Sequence, residues 1–142
     1  MSHSPPVSSA VLDTSRPGLA APLRLAALGL FVLACAFTLY AALAPDDGST
    51  GLLSRLLPWD KARHAAIFYG LAGLAAAAFP RTGLIALGAA LAGYGGAIEL
   101  VQAVAGTGRD AETLDFVANL VGIAGVYGPL LVLTVWRREA GR

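Results

Sequence analysis

The sequence predicts an all-α integral membrane protein, a four-transmembrane-helix bundle with a disordered N-terminal tail and a short interfacial helix between helices one and two. Three observations carry that prediction. Hydrophobic residues make up 56% of the 142 residues and charged residues only 13%, against roughly 25% charged in soluble domains, and mean hydropathy is +0.67. The apolar residues lie in long unbroken blocks, without the alternating or 3.6-spaced stripes of a water-soluble core. The few polar residues that enter those blocks gather near one end of the predicted spans. A net charge of +1 gives no general attraction to nucleic acid, so the placement of charges matters more than their sum. The lone Cys35 excludes an intramolecular disulfide and reads as packing.

Residues 1–20 are rich in Ser and Pro with no apolar period, and read as a disordered cytoplasmic tail ahead of a transmembrane domain at 21–138. Helix one is expected at about 25–44, because the uncharged run Leu25 to Ala44 at ~1.5 Å per residue covers the ~30 Å hydrocarbon core. Its end, Ala42-Leu43-Ala44, imitates a signal-peptidase site, but the run is longer than the ~7–15 residues of a signal h-region and Pro45 follows. A retained anchor and packing partner is therefore expected, with no member in the polar cluster. In 45–59, Asp46, Asp47 and Gly48 supply turn chemistry. Leu52, Leu53, Leu56 and Leu57 around Arg55, ahead of Trp59, then form the short interfacial helix.

Helix two is expected at about 60–79, with Asp60 at the positive end of its dipole and Pro80-Arg81-Thr82-Gly83 as the terminating turn. Its small residues, Ala65, Ala66, Gly70, Ala72, Gly73 and Ala75 to Ala78, permit close helix packing and allow a homo-oligomer. Helix three, at about 84–104, carries Gly93, Gly95 and Gly96 and one charge, Glu99. After a polar loop, helix four is expected at about 115–136, and Arg137, Arg138 and Arg142 close the chain. Four spans place both termini on one side. That side holds Arg16, Arg24, Arg81, Arg137, Arg138 and Arg142, six of ten basic residues, so the positive-inside rule puts both termini in the cytoplasm.

The opposite side brackets the polar constellation. Asp60 and His64 are four apart and share a face of helix two, Glu99 and Gln102 are three apart on helix three, and Asp115 and Asn119 are four apart on helix four. Lys61 adjoins the first pair and Arg109 lies in the loop between helices three and four. Glu99 lies ~9 Å inside the end of its helix, where an ionised group costs on the order of 2.5–3.5 kcal/mol. It needs a partner, a proton or water. Arg109, Lys61 and His64 are in range, of which Arg109 offers the fork that suits a carboxylate or phosphate. Arg63 is expected to snorkel to the interface.

The ordered set Asp60-Lys61-x-x-His64-x-x-x-Phe68, Glu99-x-x-Gln102, then Arg109 followed at six by Asp115, with Asn119 and Gly122 behind it, resembles the VanZ-like family of small bacterial membrane proteins. The likeness spans about residues 60 to 125. It implies a multi-pass protein of the bacterial inner membrane, and a link to resistance against the glycopeptide teicoplanin, which is associated with the family's founding member. It implies no reaction and no cofactor. Thr107-Gly108 stand before Arg109 where the family often has proline, and Glu112 stands where a small or hydroxylated residue is more usual.

Two functional readings follow. In the first, Asp60, Lys61, His64, Glu99, Gln102, Arg109, Asp115 and Asn119 form an outward-facing pocket that binds an anionic lipid headgroup or a lipid-linked cell-wall precursor, without catalysis. In the second, the chain is a membrane-embedded enzyme acting on a lipid-linked phosphate or ester, with His64 as base, Asp60 or Glu99 orienting it, and Arg109 stabilising negative charge. The plainer alternative is that Glu99, Gln102 and Asn119 hold helices together by hydrogen bonds worth about 0.6–2 kcal/mol each. Metal ligation by Asp60, His64 and Glu99 lacks a ligand-dense motif, so no metal or cofactor is expected.

Overall fold

A computed structural model describes residues 20–44, 56, 59–105 and 113–141. The expected N-terminal tail, nearly all of the interfacial segment and the loop carrying Arg109 lie outside the described residues. The described chain forms four α-helices: α1 (Ala21–Leu43), α2 (Asp60–Ala78), α3 (Leu84–Ala105) and α4 (Thr113–Ala140). Three of them, α1, α3 and α4, are long and apolar enough to cross a membrane. The α2 helix is different. Four of its first five residues are Asp60, Lys61, Arg63 and His64, and the uncharged remainder from Ala65 to Ala78 is only about 21 Å long.

Two helix ends differ from the expected positions for physical reasons. The α1 helix starts at Ala21, ahead of the charge at Arg24, because Pro22 fits the first turn, where no intrahelical N–H is needed. The α4 helix runs on to Ala140 because Arg137 and Arg138 in its last turn complement the negative end of the dipole. Pro129 lies within α4 and removes one ladder hydrogen bond without ending the helix.

The chain runs up and down. Arg24, at the start of α1, donates from Nε to the carbonyl of Ala78 at the end of α2 (3.0 Å). Gln102, near the end of α3, donates to the Ala42 carbonyl at the end of α1 (3.3 Å). Both α2 and α3 touch every other helix, while α1 and α4 do not meet. The layout is a diamond with α2 and α3 on the short diagonal.

Its core is built by Phe68, Leu71, Ala72 and Ala75 of α2, Leu84, Leu87 and Leu91 of α3, and Ile123 and Tyr127 of α4. Outside this core the surface is greasy: Leu25, Leu33, Phe37, Ile85, Val104, Val132 and Trp136 are all well exposed. Such a continuous apolar exterior is unusual for a water-soluble monomer and suits lipid.

Not every small residue serves packing. A Cβ added at Gly70, Gly73 or Gly93 meets nothing, so these glycines face outward. Ala72, Ala75 and Ala78 do line the core. The closest helix approach is at Gly122 of α4, where a Cβ would overlap the Ala65 carbonyl and lie 2.9 Å from the Tyr69 nitrogen. That contact draws α2 and α4 together at one height.

Candidate functional site

The same stripes that build the core become polar toward one end. On α3 the buried positions Leu84, Leu87, Leu91 and Ile98 lead to Glu99 and Gln102, both buried. On α4 the buried stripe reads Tyr127, Ile123, Gly122, Asn119, Ala118 and Asp115 back toward the N-terminus. Helix α2 enters that end with Asp60, Lys61, Arg63 and His64 in its first turns. Helical spacing alone thus brings three polar stripes to one depth.

Phe68 lies one turn below His64 on α2 and closes the floor, being 2% exposed and tilted against Tyr94 at 6.3 Å. Glycine at 95 makes room for that floor. A Cβ there would come 3.0 Å from the Phe68 ring and 3.1 Å from Nδ2 of Asn119.

His64 stands at the centre. Its Nδ1–H donates to Oδ1 of Asn119 at 3.1 Å, which leaves Nε2 of the neutral ring as an acceptor. That nitrogen lies 3.8 Å from Oδ2 of Asp60 and 3.7 Å from Oδ2 of Asp115. The other oxygen of each aspartate faces a base. Arg63 binds Oδ1 of Asp60 one turn along the helix, and the Lys61 ammonium lies 2.7 Å from Oδ1 of Asp115 and 3.9 Å from Oδ2 of Asp60. The Lys61–Asp115 contact is an ion pair off the angle of a directed hydrogen bond. Each aspartate in a first turn also suits the positive helix end.

Glu99 has the least support. Both its oxygens are buried without a hydrogen-bond partner, and its nearest charged contact is His64 Nδ1 at 3.9 Å from Oε1. Exposure falls inward across the cluster, from 45% for the Asp60 side chain to 24% for His64 and 9–11% for Asp115 and Glu99. The cluster therefore has a wet edge at Asp60 and a dry interior at Glu99.

Asp60, Lys61, His64, Glu99, Asp115 and Asn119 come together as their spacing predicts. Gln102 does not join His64 by any hydrogen bond and turns its amide to Ala42 of α1. Helix one accordingly contributes a carbonyl at the polar end, in place of the purely passive role expected of it. Arg109 lies outside the described residues. Arg63 pairs with Asp60 instead of standing apart, a pairing that its i,i+3 position already signals. The group orienting His64 is Asn119, where Asp60 or Glu99 was expected, because Asn119 lies opposite Nδ1 across the α2–α4 contact that Gly122 brings close.

No protein-family model, no curated protein and no solved structure matches this chain. Its chemistry must be read from the residues. Among the described residues the cluster holds three carboxylates, Asp60, Glu99 and Asp115, against the bases Lys61 and Arg63 and the imidazole. Asp60, His64 and Asp115 each turn one donor atom inward, and these three atoms lie within 4.8 Å of one another. This trio replaces the set with Glu99 considered from sequence, because Glu99 faces Nδ1 and the aspartates face Nε2.

Proposed function

We propose that this chain is a VanZ-like multi-pass protein of the bacterial inner membrane that uses its polar end to bind the headgroup of an anionic lipid or a lipid-linked cell-wall precursor. The observation that carries the reading is Glu99, a carboxylate buried with no hydrogen-bond partner at the dry end of a cluster that opens at Asp60. An ionisable group in an apolar bundle is costly and marks a site by default. Lys61, beside Asp60 and Asp115, and Arg109 in the adjoining loop are the cations for an anionic headgroup, and binding would shift Lys61 from Asp115 toward the ligand. A role in teicoplanin resistance or envelope homeostasis rests on the family likeness of residues 60 to 125.

In this reading α2 is the fourth transmembrane helix, its charged first turns standing at the outer headgroup level and its Ala65 to Ala78 segment packed on one face against its three neighbours. Arg24, Arg81, Arg137 and Arg138 gather at the opposite end and are the cytoplasmic charges. A reporter active only in the periplasm, fused after residue 142, is expected to be silent.

The headgroup reading is tested by native mass spectrometry of the protein released from bacterial membranes. An anionic lipid or lipid-linked phosphate is expected to co-purify, and to be lost in Arg109→Ala and Lys61→Met but retained in His64→Ala. Loss in His64→Ala alone, with turnover of a lipid phosphate, would favour the enzymatic alternative.

A further inference from the structure

We propose that Oδ2 of Asp60, Nε2 of His64 and Oδ2 of Asp115 form a binding site for one first-row divalent cation of the Zn2+ or Mn2+ class. Three acceptors face one another here. With Nδ1–H given to Asn119, Nε2 of the neutral ring carries the lone pair and lies 3.8 and 3.7 Å from two carboxylate oxygens. Lys61 and Arg63 hold the carboxylates from the side, on Oδ1 of Asp115 and Oδ1 of Asp60, with Lys61 3.9 Å from Oδ2 of Asp60.

A small cation could lie between the three donors. Neither oxygen lies within the about 2.7–3.2 Å of a hydrogen bond to Nε2. Donors about 2.1 Å from a tetrahedral ion stand about 3.4 Å apart. The three atoms lie within 4.8 Å of one another, so a small rotation of Asp60, which is nearly half exposed, closes the set.

The surroundings are those of a metal ligand set. A ligating histidine donates its second N–H to a fixed acceptor, and ligating carboxylates are held by partners on their outer oxygens. Asn119 provides the first, and Lys61 and Arg63 provide the second. Mixed imidazole and carboxylate donors suit Zn2+ or Mn2+.

Glu99 lies on the other side of the same imidazole, against Nδ1. It belongs to another helix, is 9% exposed, has no hydrogen-bond partner on either oxygen, and is directed at the imidazole at 3.9 Å. Polarised by the ion, the ring would hold its Nδ1 hydrogen more positive toward both Asn119 and Glu99.

The proposal does not depend on headgroup binding, because the probe is Zn2+ alone. Protein in phosphate-free detergent micelles, stripped with a chelator and shown to be helical by circular dichroism, is titrated with Zn2+ by calorimetry. One ion per chain is expected, with affinity lowered at least tenfold in His64→Ala and in Asp60→Asn, whose half-exposed position leaves folding least affected. Asn119→Ala is expected to lower it about 10–100-fold, and Thr134→Val, at the far end of the bundle, to match the parent. No saturable binding to the helical parent overturns the proposal. So does equal binding by the parent, His64→Ala and Asp60→Asn.

Discussion

Nδ1 of His64 and Oδ1 of Asn119 meet at 3.1 Å across the α2–α4 contact, 55 residues apart in the chain. The bond fixes which ring nitrogen carries the proton. Whenever the ring is neutral, the Nδ1–H tautomer is therefore expected from the 15N shifts of labelled His64 in micelles. In Asn119→Ala the ring should report a mixture of tautomers. Losing the buried partner should also lower bundle stability by about 1–3 kcal/mol.

Gly122 sets how closely those two helices approach. An added Cβ would overlap backbone at Ala65 and come 2.9 Å from the Tyr69 nitrogen, and backbone cannot swing away as a side chain can. Gly122→Ala is expected to destabilise the bundle by about 1–3 kcal/mol and to loosen the His64–Asn119 bond. Gly88→Ala meets Tyr127 at an ordinary 3.5 Å and should be tolerated. Gly70→Ala faces open space and should stabilise by about 0.4–1 kcal/mol. Denaturant titration of the three variants in one detergent ranks them.

Arg24 performs a different task at the opposite end. Its Nε–H covers the Ala78 carbonyl, one of the acceptors that α2 leaves open where Pro80 ends the helix. Arg24→Leu is expected to lower stability by about 1.5–3 kcal/mol, the range for hydrogen bonds to charged groups. Hydrogen exchange at the last turn of α2 should speed up in that variant and stay slow around Phe68.

The helices were readable because an uncharged run long enough to cross lipid has few alternatives, and the convergence of Asp60, His64, Glu99, Asp115 and Asn119 was readable from spacings of three and four. The pairings were not. Spacing states which face of a helix a residue occupies, and leaves open how each helix rotates about its axis. Hence Lys61 meets Asp115, where the sequence offered it as a partner for Glu99, and Gln102 turns to the Ala42 carbonyl. Charge also misplaced two helix boundaries. Arg24 and Arg137 interrupt the apolar runs but not the backbone hydrogen bonding, so α1 and α4 extend past them. Gly122 and Gly95 looked like any other glycines in a sequence that holds 17. Only the neighbours at their Cα atoms distinguish them from Gly70 and Gly73.

Glu99 offers the sharpest separation of structure from function. If its carboxylate served only to hold the bundle together, removing its charge would weaken the fold. The structure argues the opposite, since neither oxygen accepts a hydrogen bond and the imidazole beside it, His64, stands 3.9 Å away. Glu99→Gln keeps the volume and removes an ionisable group from the interior, so the variant is expected to be as stable as the parent or up to about 2 kcal/mol more stable. Co-purification of the headgroup, or affinity for Zn2+, should fall in the same variant. Stability lost together with function would assign Glu99 to packing, whereas stability kept while binding falls assigns it to the site.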